Sequence, residues 1–158
     1  LVINSGTCGA FKRKGADIGH VYIGNAVMFH DRRVMGDDEW GTQALGNYKL
    51  WEKSEEIAQC LNLKTGKVTT GSSLDMQPCD LEIIEENNGE LKDMEAAAVA
   101  FVCSLFKTPC LLVKSVTDLL DGGENTLEEF RRNLFQASTE LSKANIRLIE
   151  HLIEKKYL

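Results

Sequence analysis

The sequence predicts an α/β layered protein on a mostly parallel or mixed sheet, folded as a single domain over residues 1–158. Strand-like runs alternate with helix-periodic ones, the pattern of layered α/β folds. No internal repeat, low-complexity tract or linker divides the chain, and 158 residues can bury one sizeable core.

Leu1 to Asn4 reads as a buried strand, stopped by the turn-forming SGTCG. The β-branched and aromatic residues of DIGHVYIGNAVMFHD predict one or two strands within residues 17–30. Polar and glycine residues from Gly36 to Gly46 suggest a surface loop. In KLWEKSEEIAQCLN, Leu50, Ile57 and Leu61 fall at helical spacing. KTGKVTTGSS reads as a turn and short strand, and DLEIIEENNGE as a short acidic helix or strand closed by an Asn-Asn-Gly turn. DMEAAAVAFVCSLF is apolar nearly all round, which predicts a buried helix ended by Pro109. CLLVKSV is the next strand. Thr126 with Glu129 has capping-box spacing for a final helix over roughly 127–154, whose apolar stripe holds Leu134, Leu141, Ile146, Ile149 and Ile153.

Composition narrows the function classes. A balance of 43% hydrophobic and 27% charged residues is that of an ordinary globular protein. With 18 Lys and Arg against 24 Asp and Glu, the net charge is -6, and a nucleic-acid partner would need a local basic patch. The short runs Lys12-Arg13-Lys14 and Arg32-Arg33 read as solvated turn and surface charges. Five cysteines at irregular spacing without CxxC argue for reduced thiols in a cytosolic compartment, against a disulfide framework or zinc site. No apolar run approaches the ~20 residues of a membrane span and no charged leader precedes one, so a soluble cytoplasmic protein is expected. The chain opens directly into LVINSG, which reads like a chain cut in mid-domain.

Ligands of open α/β sheets gather at the carboxyl ends of strands. Three stretches qualify: NSGTCGA, TTGSSLDM and KSVTDLLDGG. GTCG would let a ligand approach the backbone closely, or is a plain tight turn; it is no GxGxxG or GxxxxGK[ST] phosphate loop. Asp93 and Glu95 open an apolar helix, where the dipole favours a carboxylate. A buried carboxylate there could equally accept two hydrogen bonds from a vicinal diol, with Met94 against the sugar ring. Asp118 is either a turn cap or, if partly desolvated, a proton donor with a raised pKa. His30 in FHDRR is equally a structural turn residue, since no Ser or Cys nucleophile is evident for it.

Taken together, INSGTCG, FHDRR, TGSSLDM, KDMEAAAVA and VKSVTDLLDG resemble the nucleoside phosphorylase and nucleosidase family, and within it the plant-type 5'-methylthioadenosine nucleosidases. The resemblance covers essentially the whole chain. It implies a three-layer α/β/α fold with a twisted central mixed sheet, usually in a homodimer with active sites near the interface. It also implies cleavage of the N-glycosidic bond between adenine and a 5-thio-substituted ribose, with no cofactor or metal and no nucleic-acid or membrane partner. By position, Asp118 falls on the aspartate that protonates purine N7, with Thr117 beside it. Met94 and Glu95 fall on the pair that packs against the ribose and binds its 2'- and 3'-hydroxyls. Thr7, Cys8 and Gly9 fall beside base and sugar, Leu74 and Asp75 flank the adenine, and Asn87 and Lys92 match polar positions near the site.

Asn4 stands where many phosphorylases of the family carry a phosphate-binding arginine, which favours water as the nucleophile. Gly71-Ser72 departs from the family's usual Gly-Asp. The family's first strands are absent, and with them the glutamate that activates the water. The 158 residues alone are therefore expected to be impaired and to expose an unpaired sheet region. A purine or methylthioadenosine phosphorylase and a non-catalytic storage or binding relative are the alternatives. Acceptance of S-adenosylhomocysteine is left open, because the 5' pocket would draw on Leu127 and a partner subunit.

Overall fold

The structure, a computed structural model, describes residues 1–32 and 44–157. Arg33 and most of the surface loop expected from Gly36 to Gly46 lie outside the described residues. Strands β1 (Val2–Ala10), β2 (Val21–Phe29), β3 (Lys64–Thr70), β4 (Leu91–Asp93) and β5 (Cys110–Leu119) are joined with helices α1 (Ser54–Leu61), α2 (Pro78–Glu86), α3 (Ala96–Leu105) and α4 (Thr126–Glu154). The sheet is mixed: β1 runs parallel to β5, and β2 and β4 run parallel to β3, while the β1–β4 and β2–β5 pairs are antiparallel. Its order, β1-β4-β3-β2-β5, closes on itself through the β1–β5 pair.

Alternation along β5 divides the core. Leu111 and Val113 meet Ile57, Ala58 and Leu61 of α1 and Leu148 and Leu152 of α4. Leu112 and Val116 face the opposite way, into a cluster with Ala96, Ala97, Ala100 and Cys103 of α3. Helices therefore cover both sides of the sheet, as the layered reading requires. Each fully buried Leu or Val contributes roughly 1.5–3 kcal/mol. No described helix is long and apolar enough to cross a membrane.

Several local expectations are corrected. SGTCG is strand, not turn: β1 continues to Ala10 because β5 supplies a partner for each residue from Val2, with a bulge between Cys8 and Gly9. Likewise β5 runs through Thr117 and Asp118 to Leu119, while residues 17–30 hold one strand, within the one or two expected. The unpaired sheet region has a counterpart in β1, whose pairing with β4 starts only at Gly9; among the described residues no other strand meets that edge from Val2 to Cys8.

The helices also differ from expectation. DLEIIEE takes the helical one of its two expected forms, opened by a Gln77–Asp80 capping box. α3 buries only one face, leaving Val102, Leu105 and Phe106 exposed at 50%, 64% and 77%. In α4 the cap is Asn125, whose side chain accepts from the amides of Leu127 and Glu128. Glu129, expected in a capping box, instead accepts from Leu119 N at 3.0 Å. The anticipated stripe of α4 points outward at Leu134, Ile146, Ile149 and Ile153, while Ala137, Ala144, Leu148 and Leu152 are buried. The helix is apolar around more of its circumference than its packing uses.

Candidate active site

A cleft of about 250 Å³ opens where β1, β4 and β5 converge. Thr7, Cys8 and Gly9 enter it from β1, Lys92 and Asp93 from β4, and Thr117 and Asp118 from β5. Leu74, Met94 and Glu95 complete its rim with Leu120 and Phe130. Nine of the residues singled out in the sequence are thus brought together.

Asp118 sits opposite Gly9 in the β1–β5 register, next to the bulge. The fit is close: a Cβ on Gly9 would lie 2.6 Å from Asp118 Oδ2. Thr117 Oγ1 donates to Asp118 Oδ1 at 2.7 Å. Burial raises the pKa of the Asp118 carboxyl; the Thr117 hydrogen bond lowers it, nearby Glu129 raises it, and Lys92 lowers it, with a net upward shift. The turn-cap reading does not hold, because Asp118 lies inside β5 and not at a turn.

Lys92 is buried, and its Nζ donates to the carbonyls of Ser73 and Leu74 at 2.7 and 2.8 Å. It thereby fastens the loop that brings Leu74 to the cleft. Burial lowers its pKa against the pull of Asp118 and other carboxylates. Burial also pushes the Cys8 thiol up, so it remains a neutral packing group. Met94 is 42% exposed and Glu95 is exposed, not buried as anticipated, so both stand at the mouth of the cleft.

Two predicted residues stay outside the lining. Asn87 ends α2 and donates from Nδ2 to Ile83 O at 2.9 Å, a helix-terminal role. Asp75 accepts from Gln77 Nε2 at 2.8 Å. Asn4 lies within β1 opposite Leu112 and is not among the residues that line the cleft. His30 is buried but does not line the cleft; its ring lies against Gly71, where a Cβ would come within 2.1 Å of Nε2. Beside it Asp31 accepts from Ser72 N at 2.6 Å, so FHDRR and TGSS meet as a structural joint.

Sequence reasoning missed the scaffold under the site. Asp93 forms a buried ion pair with Lys114 at 2.6 Å, accepts from Thr70 Oγ1 at 2.5 Å, and takes the amide of Ala96 at 3.0 Å. Thr70 Oγ1 in turn accepts from Ala97 N at 2.9 Å. Together they hold the start of α3, and hence Met94 and Glu95, against the sheet. The one available signal was Lys114 within an apolar strand, a cation requiring a buried carboxylate. Among the described residues, no group of three or more His, Cys, Asp or Glu is placed to hold a metal ion.

With this mixed sheet, helices on both faces and a carboxyl-lined cleft where three strands converge, the chain belongs to the Phosphorylase superfamily, whose family model matches residues 1–153. Among its relatives, a 5'-methylthioadenosine/S-adenosylhomocysteine nucleosidase of Arabidopsis thaliana is 41% identical over 98% of this chain and 60% of its own length. A 5'-methylthioadenosine nucleosidase of the same plant is 43% identical over 96% of this chain and 56% of its own. The structure of Arabidopsis thaliana 5'-methylthioadenosine nucleosidase in apo form superposes with a TM-score of 0.91 at 42% identity, over 95% of this chain and 61% of that one. The chain thus spans about three fifths of the length of the relatives it matches.

Proposed function

We propose that the protein acts as an N-glycosidase on 5'-methylthioadenosine, releasing adenine and a 5-thio-substituted ribose. The observation that carries this reading is Asp118, a buried carboxyl with a raised pKa facing a cleft with Met94 and Glu95 at its mouth. The relatives' nucleosidase names support hydrolysis over phosphorolysis.

Glycosidic cleavage passes through an oxocarbenium-like sugar, so the leaving base must be neutralised and the ribose held. In this reading Asp118 delivers its proton to purine N7 as the C1'–N9 bond breaks, a water oxygen bonds to C1', and the proton that water loses passes through solvent to restore the Asp118 carboxyl. Glu95 accepts hydrogen bonds from the 2'- and 3'-hydroxyls and Met94 packs against the sugar. Thr7, Cys8 and Gly9 flank base and sugar with Thr117 behind them, and Leu74 covers the adenine. The scheme requires no cofactor.

The decisive experiment measures adenine release from 5'-methylthioadenosine by the full-length protein, with and without phosphate, beside Asp118→Asn. A loss of ~10² to 10⁴-fold in kcat is expected. A rate within threefold of wild type would end the general-acid assignment, and phosphate-dependent release would select a phosphorylase. S-adenosylhomocysteine as second substrate tests the breadth of the 5' pocket.

A homodimer fits the exposed apolar side chains of α3, the helix that begins at the cleft mouth. A cytoplasmic setting fits five cysteines at irregular spacing without CxxC, and a place in methionine salvage fits the proposed substrate.

A further inference from the structure

We propose that Glu129 and Asn133, one turn apart on α4, are positioning residues that fix Asp118 by pinning the backbone on either side of it. The inference rests on the reading of Asp118 as proton donor. Through the middle of β5, from Val113 to Val116, both edges are occupied by neighbouring backbone. On one side lies β1, still bonded beyond the strand end through Leu120 N to Ala10 O at 2.8 Å. On the other side β2 pairs only with Val113 to Ser115, and Val116 then exchanges bonds with Gly19 N and His20 O.

Past Val116 that second edge meets side chains of α4 instead of another strand. Asn133 Nδ2 donates to Thr117 O at 2.9 Å, and Glu129 Oε2 accepts from Leu119 N at 3.0 Å. One donor and one acceptor thus stand in for a missing strand on the two residues flanking Asp118. Residues four apart share a helix face, which lets one helix supply both.

Helix capping does not account for Glu129, because Asn125 performs it. Glu129 is only 4% exposed, and burying a carboxylate against a neutral amide is costly. Its placement is explained if it holds the strand end. Around Asp118, Glu129 of α4 opposes ionisation, while Lys92 of β4 and the Thr117 hydroxyl favour it. Cys8 of β1 is a neutral thiol, and Lys114 and Asp93 compensate each other as an ion pair.

The test uses the full-length protein with 5'-methylthioadenosine and the variants Glu129→Gln, Asn133→Ala and Asp118→Asn. Glu129→Gln retains a carbonyl to accept from Leu119 N but removes the charge. It should leave KM within twofold and move the alkaline limb of kcat to lower pH, so that at a fixed pH on that limb kcat falls at least about threefold further below its plateau than in wild type. Asn133→Ala should lower kcat by on the order of tenfold at all pH values without moving the limb. The proposal is overturned if Asp118→Asn abolishes turnover while both other variants match wild type in kcat and pH profile. If Asp118→Asn retains the wild-type rate, the proton-donor reading fails instead. Should Glu129→Gln not fold, Asn133→Ala decides alone, and an unchanged kcat refutes the clamp.

Discussion

Replacing Gly9 with alanine tests the site at its tightest point. The added Cβ would lie 2.6 Å from Asp118 Oδ2 and 2.8 Å from Leu120 Cδ2, distances that folded proteins do not tolerate. Ordinary contact begins near 3.4 Å, so the carboxylate must retreat by about 0.8 Å or β1 must separate from β5 at the bulge. Overpacking of this size costs typically 1–3 kcal/mol, and a displacement near 1 Å of a reacting group costs about 10²-fold in rate. Gly9→Ala should therefore melt somewhat below wild type while losing ~10²-fold in kcat for adenine release, a loss larger than reduced folding explains. Steady-state kinetics with thermal unfolding on the full-length protein measures both. A variant with kcat within threefold of wild type would show that Asp118 is not held against Gly9 during the reaction.

Three further outcomes follow from the same geometry. Lys114→Met strands the buried Asp93 carboxylate and should cost roughly 3–5 kcal/mol in urea unfolding, whereas a loss below about 1 kcal/mol would contradict the ion pair. Asp118 should make stability fall as pH rises: below the ordinary aspartate range both states hold the proton, and between that range and the raised value only the folded chain does. Asp118→Asn should then be more stable than wild type at pH 8 and no more stable at pH 3, and an equal difference at both values would refute the shift. Leu105→Glu with Phe106→Glu, both on the exposed face of the α3 end, should halve the mass measured by light scattering if two copies meet there; an unchanged dimer mass would move the interface elsewhere.

The sequence made β5 legible as far as Val116 because Leu111, Leu112 and Val113 form a continuous apolar run. It did not reveal that the strand continues, since Thr117 and Asp118 are polar residues whose burial depends on β1, β4 and α4. The same cause hid β4, where two of three residues are charged and the partners of Lys92 and Asp93 lie in distant segments. GTCG carries the composition of a turn, and only a parallel neighbour converts it into strand. Asp118, Met94, Glu95 and Gly9 were legible through the order of their motifs, and the structure gathers them around one cleft. Asn87 came from the family match alone, and what it does in its own surroundings, ending α2 with its amide on Ile83 O, is a local role that no motif marks. In α4, apolar periodicity pointed to Ile146, Ile149 and Ile153, but small residues, Ala137 and Ala144, mark the face that packs closely.

The pairing of β1 with β5 has a kinetic consequence. Thr117 Oγ1 reaches Cys8 O across 109 residues of sequence, and the cleft exists only once that seam has closed. Helices such as α4 need only local contacts and can form within microseconds, whereas pairings this remote in sequence delay folding to milliseconds or longer. During refolding, far-ultraviolet circular dichroism should therefore recover ahead of the ability to bind adenine. A partly folded chain in which β1 and β5 have not yet met would hold almost all of its helix but not the pairing that sets Gly9 against Asp118.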